Sequence, residues 1–280
     1  MSCMVQYFTL ENKFIKVILS TRGAGIYRLL FDDKDMLVSP KELCDYEKEK
    51  IYFGKTIGRI CGRIVIDGQT VLHGGPHGLS NVDFIASASE NKVVFTAVSK
   101  GDESSKGSAS IRITYELIDN ELLLTMEASA VEKAKISLTN HAYFCLGESS
   151  IEPLSLRFNS SACLDYDEDL IPIGKTPITE KYNFKEVKPV LEYGTIDNYF
   201  YLDEDKITLT SKKYRLDIIT DFPGTTVFTD HFADGVKTFM TDNDTYRGLA
   251  IEPQDDTLAR KELLPGESMK RTIRYRFTKV

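Results

Sequence analysis

The chain of 280 residues has no tryptophan, four histidines and five cysteines. No apolar run approaches the roughly 18 residues of a membrane span, and residues 1–14 (MSCMVQYFTLENKF) lack the basic stretch followed by an apolar one that marks a secretory leader. The cysteines (Cys3, Cys44, Cys61, Cys145 and Cys163) are odd in number and scattered, with no C-x-x-C pair. That pattern argues against a disulfide framework and against a thiolate zinc site. Positive charge is in deficit: 35 Lys and Arg stand against 42 Asp and Glu, a formal net charge of −7. A nucleic-acid binder normally carries the opposite imbalance. G-x-S-x-G and H-E-x-x-H are also missing, so serine-hydrolase and zinc-protease chemistry have no support. These absences leave a soluble, reduced, cytoplasmic protein with no nucleic-acid or membrane partner.

What is present is ordinary globular composition, 42% hydrophobic and 28% charged. The dominant period is two. Ile111, Ile113, Tyr115 and Leu117 alternate with polar residues, as do Met269, Ile273, Tyr275 and Phe277. Alternation of this kind marks half-buried strands. Asp119-Asn120 is a turn candidate, and residues 122–126 can return as the second strand of a hairpin. Further strands are predicted at 14–19, 26–31, 93–99, 207–210, 214–219 and 226–229, with turn residues at 32–35, 67–68, 211–213 and 223–224. Only residues 40–50 have helical composition. Many short strands with frequent turns predict an all-β sandwich or barrel, and with no linker or repeat the whole of 1–280 reads as one domain.

Chemistry can be sought among the few histidines, because this side chain exchanges a proton near neutral pH unaided. His73 lies in LHGGPHG (72–78), where three glycines in five positions let the backbone approach a ligand closely. A plain hairpin loop would explain the glycines equally. His141 lies in LTNHAYF (138–144), with polar and aromatic residues alternating as on a strand edge facing a cleft; a solvent-facing histidine fits the same pattern. Glu252 follows the apolar run 248–251 and precedes Pro253. A carboxylate at the end of a buried strand has its pKa raised by desolvation, which suits a general base near pH 7, whereas a surface glutamate would do nothing of the kind. Gly23 and Gly25 form an incomplete dinucleotide fingerprint that opens a strand rather than a helix. Asp165, Asp167 and Asp169 have calcium-loop spacing, but Leu170 replaces the required glycine and Thr176 the bidentate glutamate. Neither supports a cofactor or a metal.

Together these segments resemble the aldose 1-epimerase (galactose mutarotase) family. FGKTIGRICGRI (53–64) is similar to its G-R-x-x-N-R-I, LHGG (72–75) to its L-H-G-G, and TNHAYFCLG (139–147) to T-x-H-x-Y-F-N-L-x-G. LIPIG (170–174) is similar to I-P-x-G, and IDNYF (196–200) to the D-H-x-F motif. AIEPQ (250–254), followed by LPGE (264–267), resembles the closing L-E-x-Q … L-x-P-G-E. The resemblance implies a large antiparallel β-sandwich of the galactose mutarotase type, acting on a small sugar without cofactor or metal; the exposed edge strands of a sandwich can pair into dimers but need not, which leaves a monomer or a homodimer. It implies Glu252 as catalytic base, His141 as catalytic acid, and His73, Arg63 and Asp197 as the residues that hold the sugar. Opening a pyranose requires a proton to leave the anomeric hydroxyl while another reaches the ring oxygen, and an acid–base pair does both. The chain departs from the family at several positions. Gly62 replaces an asparagine, Cys145 replaces another, Thr226 falls about where a sugar-contacting glutamine sits, and Phe84 is the nearest substitute for the missing tryptophan after L-H-G-G. Two other functions remain open: a hexose-phosphate 1-epimerase, using Lys55 and Arg59 if these are not surface charges, and a non-catalytic carbohydrate-binding protein.

Overall fold

The hairpin around Asp119-Asn120 forms as its pattern predicts. Ala109–Ile118 and Glu121–Ala130 pair antiparallel, with Leu117 opposite Leu122. Ile111, Ile113, Tyr115 and Leu117 are all buried, while the residues between them face outward. The computed structural model describes residues 5–48 and 50–280, so Cys3 lies outside the described residues.

Among the described residues, thirteen strands join in one sheet and every pairing in it is antiparallel. Ten of them run in order from Tyr143–Phe144 through Leu249–Gln254, Gly224–Phe228, Asp197–Thr210, Tyr214–Thr220, Ser268–Lys279, Glu121–Ala130, Ala109–Ile118 and Lys92–Ser99 to Ile85–Ala88, and the other three branch from Asp197–Thr210: Ser155–Tyr166 pairs with it and carries Pro172–Pro177 and Lys188–Pro189. A second sheet of four strands, from Tyr7–Glu11 to Lys34–Asp35, lies against it. Phe31 of the small sheet stacks on Phe277 of the large one at 5.8 Å between ring centroids, and Phe8 meets Phe95 edge to face at 6.2 Å. One apolar cluster fills the space between the sheets, including Val17, Leu19 and Leu29 on one side and Phe95, Ile113, Leu124 and Ile273 on the other. The chain is an all-β sandwich.

Two elements differ from expectation. The helix within 40–50 is a single five-residue piece, Leu43–Glu47. The strand predicted at 207–210 begins much earlier, at Asp197. Its charged middle hides the strand: Asp203 and Asp205 are exposed, and residues 203–205 form an irregularity between the pairings Leu202–Ser160 and Ile207–Phe158. Among the described residues no helix is long and apolar enough to cross a membrane, and Cys44, Cys61, Cys145 and Cys163 are free thiols.

Gly54 joins the sandwich to the cleft described below. Its φ is +68°, and a Cβ placed on it would lie 2.0 Å from the carbonyl oxygen of Ile26. Its N–H donates to the His141 carbonyl at 2.9 Å, and its own carbonyl accepts from the Ile26 N–H at 2.8 Å and from Asn140 Nδ2 at 2.7 Å. Gly54→Ala combines a left-handed backbone with a hard clash, so it should cost about 3 kcal/mol or more. Urea unfolding would measure this; a midpoint unchanged from wild type would show that the loop relaxes around the methyl group.

Candidate active site

The cleft starts from a tight turn. Arg63–Ile66 and Gln69–Leu72 form a hairpin closed by Asp67 (φ +50°) and Gly68 (φ +77°), both left-handed as a two-residue hairpin loop requires. This register sets Arg63 opposite Leu72, and so beside His73. His73 is itself left-handed (φ +54°), and Gly74 follows at φ +83°, where a Cβ would stand 2.6 Å from the Gly58 carbonyl. The Gly62 N–H donates to Nδ1 of His73 at 3.2 Å. With Nδ1 accepting, the neutral ring carries its proton on Nε2. Outside the cleft, Arg260 Nη2 donates to the carbonyls of Arg63 (3.0 Å) and Cys61 (3.4 Å).

His141 lies between two short strands, Thr139–Asn140 and Tyr143–Phe144. Its N–H donates to the Lys55 carbonyl at 2.9 Å. Its ring is flanked by Tyr52 and Tyr143, with centroids 5.6 and 4.9 Å away, and Tyr52 also meets His73 edge on at 4.9 Å. Glu252 belongs to Leu249–Gln254, a strand paired on both sides and buried at all six positions. The strand continues past Pro253, so Glu252 lies inside it rather than at its end. Burial throughout explains why this strand shows no alternation.

Glu252 Oε1 stands 3.3 Å from His141 Nε2, and both side chains are almost fully buried. Burial pushes the Glu252 carboxyl well above the usual carboxylate range, and the nearby Asp197 pushes it further. The same desolvation pushes His141 down to about 3 and His73 well below its usual value, with the like charges of His141 and Arg63 adding to the effect on His73. Asp197 faces Arg63 across the cleft, with Oδ2 and Nη1 3.9 Å apart. Burial raises the Asp197 pKa, while Arg63 and His231 oppose the rise.

All five residues singled out in the sequence, Arg63, His73, His141, Asp197 and Glu252, line this one cleft of about 180 Å³. Tyr52, Tyr143, Tyr166, Phe228, Leu170 and Pro172 supply apolar wall, and Gly62, Thr226, Gln254 and Thr257 complete it. Apolar walls with a few convergent polar groups are the usual make-up of a small-molecule site. The sequence reading missed Tyr52, although it immediately precedes the FGK segment and a chain without tryptophan needs another aromatic wall. Phe84 does not take that place: it is 3% exposed and packs into the main core. Cys145 is also outside the cleft, with Sγ 3.4 Å from the Asp35 carbonyl. Lys55 and Arg59 are neither surface charges nor cleft walls. Both are wholly buried. Lys55 Nζ donates to the Lys48 carbonyl at 3.2 Å, and the Arg59 guanidinium donates to the carbonyls of Gly107 and Lys106. Closeness in sequence to Arg63 says nothing about where these side chains turn, and neither can clamp a phosphate in the cleft.

His73, His141 and Glu252 offer donor atoms within 4.8 Å of one another, a set that by residue type could hold zinc. The surroundings do not fit a metal. A metal on Nε2 of His73 would need the proton on Nδ1, facing the Gly62 N–H that donates there. Nδ1 of His141 has no hydrogen-bond partner, whereas a ligating histidine normally donates its other N–H to an acceptor. The arrangement instead suits proton exchange with a polar ligand: a carboxyl and an imidazole within reach of one molecule, beside a fixed N–H donor, a guanidinium and a second carboxylate.

Comparison with known proteins gives a consistent picture. The family described as aldose 1-epimerase matches residues 6–276. Galactose mutarotase of Mus musculus is 29% identical, over 98% of this chain and 94% of its own length. Aldose 1-epimerase of Escherichia coli strain K12 is 25% identical, over 83% of this chain and 82% of its own. Among solved structures, an aldose epimerase homologue from C. elegans superposes with a TM-score of 0.89 at 23% identity, covering 99% of this chain and 100% of that one. A galactose 1-epimerase from Lactobacillus acidophilus superposes with a TM-score of 0.85 at 24% identity, covering 99% of each.

Proposed function

The chain belongs to the aldose 1-epimerase family, and on that premise we propose that it interconverts the α and β anomers of a free hexose such as galactose or glucose. The observation that carries this reading is the His141–Glu252 pair, 3.3 Å apart and buried in the cleft that Arg63, His73 and Asp197 also line. Desolvation favours the neutral forms of the pair, Glu252 as acid and His141 as imidazole. Moving that one proton from Glu252 to His141 gives carboxylate and imidazolium with no change in net charge. The carboxylate then takes the proton of the anomeric hydroxyl while the imidazolium protonates the ring oxygen. The C1–O5 bond breaks, C1 becomes a carbonyl, and both protein groups return to neutral. Rotation about C1–C2 and the reverse proton transfers close the ring on the other face. Protons and charge balance at every step.

Arg63 and Asp197 suit the sugar's hydroxyls, one as a fork of donors and the other as an acceptor, and the Nε2–H of His73 is a further donor. Removing such a contact weakens the ground state and the transition state together. Asp197→Asn is therefore expected to raise KM about tenfold with a smaller change in kcat. A fall in kcat alone would move Asp197 out of sugar binding. Saturation transfer between the α and β anomeric protons of equilibrated galactose tests the activity itself. The protein should produce transfer without deuterium entering at C2 from heavy water; deuterium at C2 would indicate enolisation rather than ring opening, and absence of transfer would refute the proposal.

A further inference from the structure

Glu252 and Gln254 are two residues apart on one strand, so their side chains leave the same face. Gln254 is 2% exposed and lines the cleft. Its Nε2 donates to Oγ1 of Thr226 at 2.8 Å, while its Oε1 is buried with no hydrogen-bond partner. Thr226 also lines the cleft and stands directly opposite Glu252 in the neighbouring strand. No hydrogen bond among the described residues uses the Thr226 hydroxyl proton. A buried amide oxygen without a partner is costly, and native proteins seldom keep one without a use for it. Turning the amide over does not remove the deficit: one of its two polar atoms then bonds Thr226 and the other still lacks a partner.

From this we infer that Gln254 and Thr226 form a hydroxyl-recognition subsite, in which the Gln254 amide oxygen accepts from one non-anomeric hydroxyl of the sugar and Thr226 donates to the same or an adjacent oxygen. The inference rests on the sugar-binding reading of the cleft and adds to it a residue pair that selects among hexoses. The bond from Nε2 to Oγ1 holds both groups in place before the ligand arrives, so little side-chain entropy is lost on binding. Gln254 touches neither the anomeric oxygen nor the ring oxygen in this scheme; it contributes to specificity and not to proton transfer.

The test is a cycle of one substitution against a set of substrates. Mutarotation of D-galactose and of its 2-, 3-, 4- and 6-deoxy analogues would be followed with wild type and with Gln254→Met, which keeps the shape and removes the amide. With galactose the variant should lose roughly tenfold in kcat/KM, mostly through KM. With one deoxy sugar the same substitution should cost almost nothing, because that sugar already lacks the contact. An equal loss with every sugar, or no loss with any, would overturn the inference. Thr226→Val serves in the same cycle if Gln254→Met does not fold. Turnover by wild type with no sugar-dependent loss would sink this inference alone, while no turnover of any sugar by wild type would sink it together with the proposed function.

Discussion

Glu252→Gln is expected to lower the rate of anomer interconversion by about a thousandfold or more while leaving the fold in place. The substitution keeps volume and polarity and removes the carboxyl that the proposed mechanism uses to accept the anomeric proton, and general base catalysis contributes typically 10²–10⁴-fold. Because burial raises the Glu252 pKa well above the usual carboxylate range, the amide removes a charge that the site disfavours and should stabilise the protein if anything. The cost of keeping a carboxyl in a dry strand interior above its intrinsic pKa disappears with it. Higher stability with lost activity is therefore the expected combination, read by urea unfolding and polarimetry on the same sample. Retained activity in a folded variant would remove Glu252 from the mechanism.

His141→Asn should cost roughly a hundredfold to a thousandfold in rate, and it should also change how stability depends on pH. His141 is held neutral down to about 3 in the folded protein, whereas an unfolded histidine takes up its proton near 6.5. Between those values the unfolded chain binds more protons, so stability falls as pH is lowered through that window. From pH 7 to pH 5 this single group costs on the order of 2 kcal/mol. His141→Asn removes that loss, so its stability relative to wild type should improve on acidification. Unfolding midpoints at the two pH values measure the difference; parallel shifts in both proteins would mean that His141 titrates normally. Activity should follow a bell. The pair works with one proton between its two members, and it fails when acid adds a second or alkali removes the first.

The sandwich was legible because most of its strands bury one face. Ile111, Ile113, Tyr115 and Leu117 point into the core and their neighbours do not, so the period is written in the residues. Where a strand is buried on both faces the period vanishes. Leu249–Gln254 could be recognised as buried, yet the place of Glu252 within it, past which Pro253 continues the strand, was not visible. The Asp67–Gly68 turn was legible, but the two strands it joins, and the register that brings Arg63 to His73, were not. The meeting of that hairpin with His141 and Glu252 was not, because these residues come together only through the packing of distant segments. Resemblance to a family supplied that information. It did not supply the direction of side chains at positions where this chain differs. Phe84 was expected near the cleft and lies in the core, whereas Tyr52, which was not singled out, lines the cleft beside His141. Lys55 and Arg59 were near Arg63 in sequence and turn into the interior. Gly62 is a different case. Its φ of +73° is one that asparagine tolerates comparatively well, and a Cβ there would meet nothing within 4 Å. The exchange keeps the backbone N–H that orients His73, and only the side chain is given up.

The most direct test of the account is the optical rotation of freshly dissolved α-D-galactose in a weakly catalytic buffer, followed with no protein, with wild type and with Glu252→Gln. Wild type should speed the decay severalfold or more to the same final rotation, because a catalyst leaves the anomeric equilibrium unchanged, and the variant should follow the buffer alone. A wild-type trace that overlays the buffer, or a variant as fast as wild type, would contradict it.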